Sequence, residues 1–199
     1  MLEKSKELKR IFNQRRTYRN FIEADIDIEI IKNCLLAASS APSGANQQGY
    51  SFVVVKSDEM KEKIRAISEE NEATFYKNEK NKNWHDDLKK LKTNFQKPFL
   101  TEASYLICIF YHNKLANGNK IYYPLHGVGL ASGMLLSALN QVGLNTITYT
   151  PSGMNFMKEL LDRESYEIPY LIVACGIKDD SYELPNIKRK TLSELIDIY

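Results

Sequence analysis

Residues 28 to 55, IEIIKNCLLAASSAPSGANQQGYSFVVV, hold a helix, a break and a strand in immediate succession. Ile30, Ile31, Cys34, Leu35 and Ala38 recur at helical spacing behind Asp27, whose carboxylate suits an N-cap, so 28–39 reads as an amphipathic helix. Ser39 to Gly49 then breaks it with small residues and a proline, and Phe52 to Val55 is a short β-branched run. Working outward, Tyr105 to Phe110, Thr146 to Thr150 and Ile168 to Ala174 are similar runs, all expected to be mostly buried strands. Asp58 is expected to cap a helix carrying Met60, Ile64 and Ile67. Leu125 to Val142 reads as an apolar helix with Gly127, Gly129, Ala131, Ser132 and Gly133 along its first half. Helices alternating with strands argue for a layered α/β (α+β) domain, and the missing G-x-G-x-x-G argues against a dinucleotide-type unit.

At 199 residues one domain, 1–199, is the expectation. The 27 basic and 25 acidic residues leave a formal charge of +2, which predicts no nucleic acid and no anionic membrane as partner. The charged start, Met1 to Arg10, has no signal-type apolar core, and no apolar run could span a bilayer, so a cytoplasmic location is expected. Cys34, Cys108 and Cys175 lie far apart in apolar runs and read as buried thiols. Residues 69–98 differ from the rest: Glu, Lys, Asn and Asp dominate, with Tyr76, Trp84, Leu88 and Leu91 as anchors, which predicts a mobile helical insertion.

Arg15, Arg16 and Arg19, with Thr17, place three guanidiniums and a hydroxyl within five residues, enough to fork around a phosphate. Ala41 to Gln48 is a small-residue loop whose backbone N–H groups can approach a flat ring or an oxyanion. Neither feature is specific alone. Their order is: an Arg-Arg-x-x-Arg box, a helix, an A-P-S-G-A loop, the strand at 52–55, and Lys188-Arg189-Lys190 near the end. That order resembles the nitroreductase family of flavoproteins. Asn46-x-Gln48 looks like part of its N-x-Q-P-W motif, with Gly49 and Tyr50 where Pro and Trp are usual, which leaves the loop less fixed.

The charged insertion narrows the resemblance. Glu69 to Glu72, Tyr76, Trp84, Asp87 to Phe95 and Lys97 look like the lid of the iodotyrosine deiodinases. The resemblance implies a nitroreductase-like FMN-dependent fold with a central mixed β-sheet flanked by helices, a lid at 69–98 and a C-terminal extension at 185–199. It implies FMN held by Arg15, Arg16, Thr17, Arg19, Ser43, Gly44, Thr148, Tyr149, Thr150 and Arg189. Ala45, Glu72, Tyr76 and Lys97 fall on substrate positions, and Thr150 on the catalytic one, where a hydroxyl at flavin N5 favours one-electron steps over hydride transfer. Chemistry agrees with the lid assignment: a zwitterion needs an anion for its ammonium and a cation for its carboxylate. Glu72 and Lys97 provide both, and Tyr76 shares a helix face with Glu72.

A homodimer acting on halotyrosine or another small aromatic follows, fed by an external reductant such as NAD(P)H through a partner reductase. A generic nitroreductase or quinone reductase, and a non-catalytic flavin or amino-acid binding protein, are the alternatives. His85, His112 and His126 lack metal spacing and read as solvated or structural, so no metal is expected; Pro42-Ser43-Gly44 is no hydrolase elbow.

Overall fold

The computed structural model describes residues 1–78 and 82–199; the rest of the proposed 69–98 insertion, 79–81, lies outside the described residues. Among the described residues five strands form the sheet: β1 (Phe21–Ile22), β2 (Tyr50–Val55), β3 (Tyr105–His112), β4 (Asn145–Tyr149) and β5 (Glu167–Lys178). The order is β1-β5-β3-β2, with β4 also paired to β5. Each of these pairs is antiparallel, and a single parallel bridge, Thr17 to Thr146, makes the sheet mixed.

Strand alternation divides the core in two. Tyr105, Ile107 and Ile109 of β3 and Val173 and Cys175 of β5 face one side. They meet α2 (Ile28–Ser39), through Ile31, Cys34 and Ala38, and α6 (Pro124–Gln141), through Val128, Ala131, Leu135 and Leu139. Leu106, Cys108, Phe110, Ile172 and Ala174 face the other side, against Ile64 of α3 (Asp58–Lys77), Phe99 and Leu100 of α5 (Phe99–Glu102) and Met157 of α7 (Phe156–Leu160). With both faces covered, β3 reads as an unbroken apolar run. All three cysteines are buried free thiols, as their apolar surroundings required.

Three expectations change. Ser57, not Asp58, caps α3, accepting from the Met60 N–H at 3.4 Å, and Asp58 opens the first turn, where its charge suits the helix dipole. The strand at 50–55 is half-buried along its middle because it sits at the sheet edge with β3 as its neighbour. The helical insertion expected at 69–98 is not separate at its start, since 69–77 continue α3; α4 (Lys82–Lys89) follows. The remaining helix, α1 (Leu2–Gln14), buries no residue fully. Among the described residues no helix is long and apolar enough to cross a membrane.

One polar knot ties the sheet's far end. Glu167, 2% exposed, accepts from Arg163 Nη2 at 2.9 Å and the Glu164 N–H at 3.1 Å, receives the Ser51 hydroxyl, and has His112 Nε2 at 3.5 Å. Burial raises the Glu167 carboxyl, but the bonds from Arg163, Ser51 and Glu164 outweigh it and hold the group below its ordinary value. A depressed folded value means the stabilisation is complete above the ordinary carboxylate range and is lost as pH falls through the folded value. Glu167→Gln is expected to cost roughly 2 kcal/mol in urea unfolding at neutral pH and to flatten the stability loss as pH falls through and below the ordinary carboxylate range.

Candidate active site

A cleft of about 400 Å³ opens where α3, α4, Lys97 and the end of β4 meet, and it collects Arg19, Glu72, Tyr76, Lys97, Thr148, Tyr149 and Thr150. A larger hollow, about 730 Å³, lies over Phe21, Lys56 and Lys61 and holds none of the expected site residues. Its buried Lys61 is already bound to the Thr101 and Ala103 carbonyls and to Asp58, so it offers no unused group.

At the floor of the smaller cleft Lys97 Nζ stands 3.3 Å from Glu72 Oε2, with Lys97 3% and Glu72 8% exposed. Two charges this deep are tolerated because each is compensated. Glu72 also accepts from the Ser152 N–H (3.3 Å), and Lys97 Nζ donates to the Asn94 carbonyl. Burial lowers the Lys97 ammonium, and Glu72 opposes that shift. The ammonium lies over two rings, 5.4 Å from the Tyr76 centroid and 5.8 Å from that of Tyr149. Tyr76 follows Glu72 by one turn of α3, and its buried hydroxyl makes no hydrogen bond of good geometry among the described residues, with the Thr93 side chain as a polar neighbour. Burial, then the nearby Glu72 charge, pushes that phenol up. Such a group is available to a ligand.

β4 carries the opposite wall. Thr146 and Ile147 are buried, Thr148 is exposed, Tyr149 is buried with its hydroxyl near the Ser68 and Glu72 side chains, and Thr150 is exposed at the strand's end before buried Pro151. Thr148 and Thr150 line the cleft on either side of Tyr149, whose ring meets Phe99 and Lys97.

The arginines gather near one point. Arg189 donates from Nη1 to the Asn13 carbonyl (3.1 Å) and from Nη2 to the Arg15 carbonyl (2.8 Å), and Arg16 Nη2 donates to the Pro185 carbonyl (2.6 Å). The C-terminal segment is thereby stitched across the end of α1. Burial, then Arg189, then Arg16 push the Arg15 guanidinium below its ordinary value. None of the three has a carboxylate partner among the described residues, so positive charge is concentrated without compensation. Thr17 contributes backbone, bridging to Thr146.

Ser43, Gly44 and Ala45 are elsewhere. They do not line the cleft but pack on the start of α6, where a Cβ on Gly127 would meet Ser43 at 3.6 Å and one on Gly44 would meet the Tyr122 carbonyl at 2.7 Å. The small residues of α6 serve that approach at Gly127; Gly133 has open space instead.

Sequence reading missed several supports. Glu69 accepts the Lys97 N–H (2.7 Å) and Arg65 Nε (2.7 Å), so it fixes the lysine; its i,i+4 spacing from Arg65 was the available signal. Phe99 lines the cleft and meets the Tyr149 ring edge-on at 5.4 Å. His85 stacks on Tyr76, centroids 5.1 Å apart and 8° between planes, which makes it a structural part of the wall. Trp84, expected from the sequence as an anchor of the insertion, leans edge-on against Phe75 at 5.3 Å. No group of His, Cys, Asp and Glu among the described residues could hold a metal.

Residues 12–177 match the model of the Nitroreductase family. An iodotyrosine deiodinase of Haliscomenobacter hydrossis is 39% identical over 203 residues, spanning 100% of this chain and 91% of that one. The chain belongs to the nitroreductase family, in its iodotyrosine deiodinase branch. Iodotyrosine deiodinase 1 of Homo sapiens is 37% identical over 201 residues, 98% of this chain and 70% of the human one. Among solved structures, oxidized iodotyrosine deiodinase bound to FMN and 3-iodo-L-tyrosine matches with a TM-score of 0.81 at 30% identity, over 93% of this chain and 97% of that one. A BluB-like flavoprotein from Clostridium difficile 630 has a TM-score of 0.74 at 21% identity, covering 96% and 98%, a likeness of fold. The nitroreductase-like fold expected from the sequence is therefore observed.

Removing one charge from the buried pair strands the other. Lys97→Met is expected to lose about 3 kcal/mol in urea unfolding, far more than an exposed pair would, and Lys97→Met with Glu72→Gln to recover most of it.

Proposed function

We propose that this chain is an FMN-dependent oxidoreductase that removes halide reductively from halotyrosines, 3-iodo-L-tyrosine to L-tyrosine and iodide, as a homodimer. The observation that carries the reading is the buried Glu72–Lys97 pair at the floor of a cleft walled by aromatic rings and threonine hydroxyls. A zwitterion can insert between those charges, its ammonium to Glu72 and its carboxylate to Lys97, while the Tyr76 hydroxyl adds a hydrogen bond. A simple nitroaromatic offers no cation for Glu72.

The residues present fit FMN. Arg15, Arg16 and Arg189 form an uncompensated cationic cluster, the donor set a phosphate dianion requires, with Thr17 beside it. Arg19, Thr148, Tyr149 and Thr150 line the cleft and would flank the ring, with the Thr150 hydroxyl toward N5. When bound, FMN supplies the two electrons that, with a proton, replace the carbon–iodine bond by carbon–hydrogen, after accepting electrons from an external reductant such as NAD(P)H through a partner reductase.

Two further observations support a dimer. Ser43, Gly44 and Ala45 lie away from the cleft of their own chain, and beside them Tyr122, Tyr123, Leu125, Leu130 and Met134 leave an exposed apolar face on and before α6. A second copy docked on that face brings its loop over this cleft, where the Ala45 N–H would hold the substrate's phenolate oxygen. The chain acts as one domain in this reading. The described parts of 69–98, residues 69–78 and 82–98, would serve as a lid that excludes water over Glu72, Tyr76 and Lys97. Residues 185–199 are an extension reaching the second copy. A cytoplasmic location suits the three free thiols.

Glu72→Gln keeps the shape and removes the charge. With dithionite as reductant it is expected to slow turnover of 3-iodotyrosine roughly a hundredfold while leaving nitroaromatic reduction near wild type. Equal loss on both substrates, or none, would instead indicate a generic nitroreductase; bound flavin without multiple turnover would indicate a binding protein. Arg16→Ala with Arg189→Ala is expected to purify depleted of FMN, with flavin affinity down at least about a hundredfold by fluorescence titration.

A further inference from the structure

The loop between α2 and β2 holds three non-glycine residues in the left-handed region: Ala45 (φ 50°), Asn46 (φ 55°) and Gln48 (φ 44°). Such conformations persist only where surrounding contacts over-determine them. A proline does not do so here, because Gly49 and Tyr50 follow. The holding contacts come from Gln47. Its amide grips one segment at two points: Nε2 donates to the Lys120 carbonyl at 3.1 Å, and Oε1 accepts from the Tyr122 N–H at 2.8 Å. That segment leads into α6 through Tyr123, itself left-handed (φ 52°). The grip keeps Gly44 so close to Tyr122 that a side chain at 44 would collide with its carbonyl. Inside the loop Ser43 Oγ accepts from the Gln48 N–H at 2.9 Å, and Gln48 Nε2 donates to Asn46 Oδ1 at 3.1 Å. Backbone bonds complete it, Asn46 N–H to Ser43 O (3.0 Å) and Gln47 N–H to Gly44 O (3.1 Å).

We propose that Gln47 is a positioning residue for the substrate's phenolate oxygen: by clasping Lys120 and Tyr122 it fixes the left-handed backbone at Ala45 that aims the Ala45 N–H at the active site. The clasp does the work that a proline after Gln48 would do. It rests on the dimeric deiodinase reading above, in which the Ala45 N–H meets the halogenated ring. A backbone donor helps a ligand in proportion to how little it must be reoriented on binding, so the clasp acts through preorganisation and touches no ligand atom itself. Both bonds are at the surface, so their loss changes ligand affinity by about tenfold rather than unfolding the protein.

The test uses Gln47→Met, which keeps the volume and offers neither bond. The FMN-loaded protein is titrated, by quenching of flavin fluorescence, with 3-iodotyrosine and with 2-iodophenol, which carries the phenolate without the amino acid head. Both affinities are expected to fall by a common factor, about tenfold, whereas Glu72→Gln weakens iodotyrosine alone. In the flavin-free protein, amide hydrogen exchange across 44–48 is expected to accelerate in Gln47→Met. The clasp is overturned if Gln47→Met binds both ligands as wild type does, if it weakens iodotyrosine alone, or if exchange is unchanged. Should the wild-type protein bind neither ligand, the deiodinase reading fails, and the exchange measurement alone decides whether Gln47 holds the loop.

Discussion

A carboxylate and an ammonium facing each other at 3.3 Å, both almost out of contact with water, set the terms for the rest of this molecule. Such a pair gains little for stability over a well-packed apolar substitute, because desolvation offsets most of the attraction. Its presence at the floor of a cleft therefore calls for a chemical reason. A ligand carrying both charges provides one, since it can replace each half of the pair and leave no charge uncompensated. The surroundings are arranged to permit the exchange: Glu69 holds the Lys97 backbone, the Ser152 N–H holds Glu72, and the Tyr76 and Tyr149 rings lie against the ammonium.

The sheet makes this arrangement possible. Antiparallel β3 and β5, covered on both faces, form a rigid base, and β4, paired to β5, carries Thr148, Tyr149 and Thr150 to the edge of the cleft. The parallel bridge from Thr17 to Thr146 ties the arginine box to the same strand. Phosphate-type donors and threonine hydroxyls are thus referred to one backbone. What a single chain does not bring to the cleft is the loop at 43–45, and that division of labour is why a second copy enters the functional account.

Local signals were legible in the sequence where one residue type had one use. Asp27 does cap α2, its carboxylate accepting from the Glu29 N–H at 2.9 Å, because a good capper stood directly before an apolar periodicity. At 57–58 two cappers stood side by side, and only the geometry of the first turn chose Ser57. The β3 run announced a strand buried on both faces, whereas the equally apolar β2 run lies at an edge, since pairing order is not written in a run of valines. Glu72 and Tyr76 were legible as one helix face. Lys97, beyond α4, joined them only through the family resemblance, and the fold puts it there. Gln47 was invisible as a functional residue: its partners stand 73 and 75 positions later, and no local rule joins them.

The most direct test is a crystal structure of the FMN-loaded protein soaked with 3-iodotyrosine. The direct Glu72–Lys97 contact is expected to open, with the ligand's ammonium against Glu72 and its carboxylate against Lys97 Nζ, at charge-assisted hydrogen-bond distances of about 2.8 Å. A ligand seated with its head group elsewhere, while Glu72 and Lys97 stay paired with each other, would contradict that expectation.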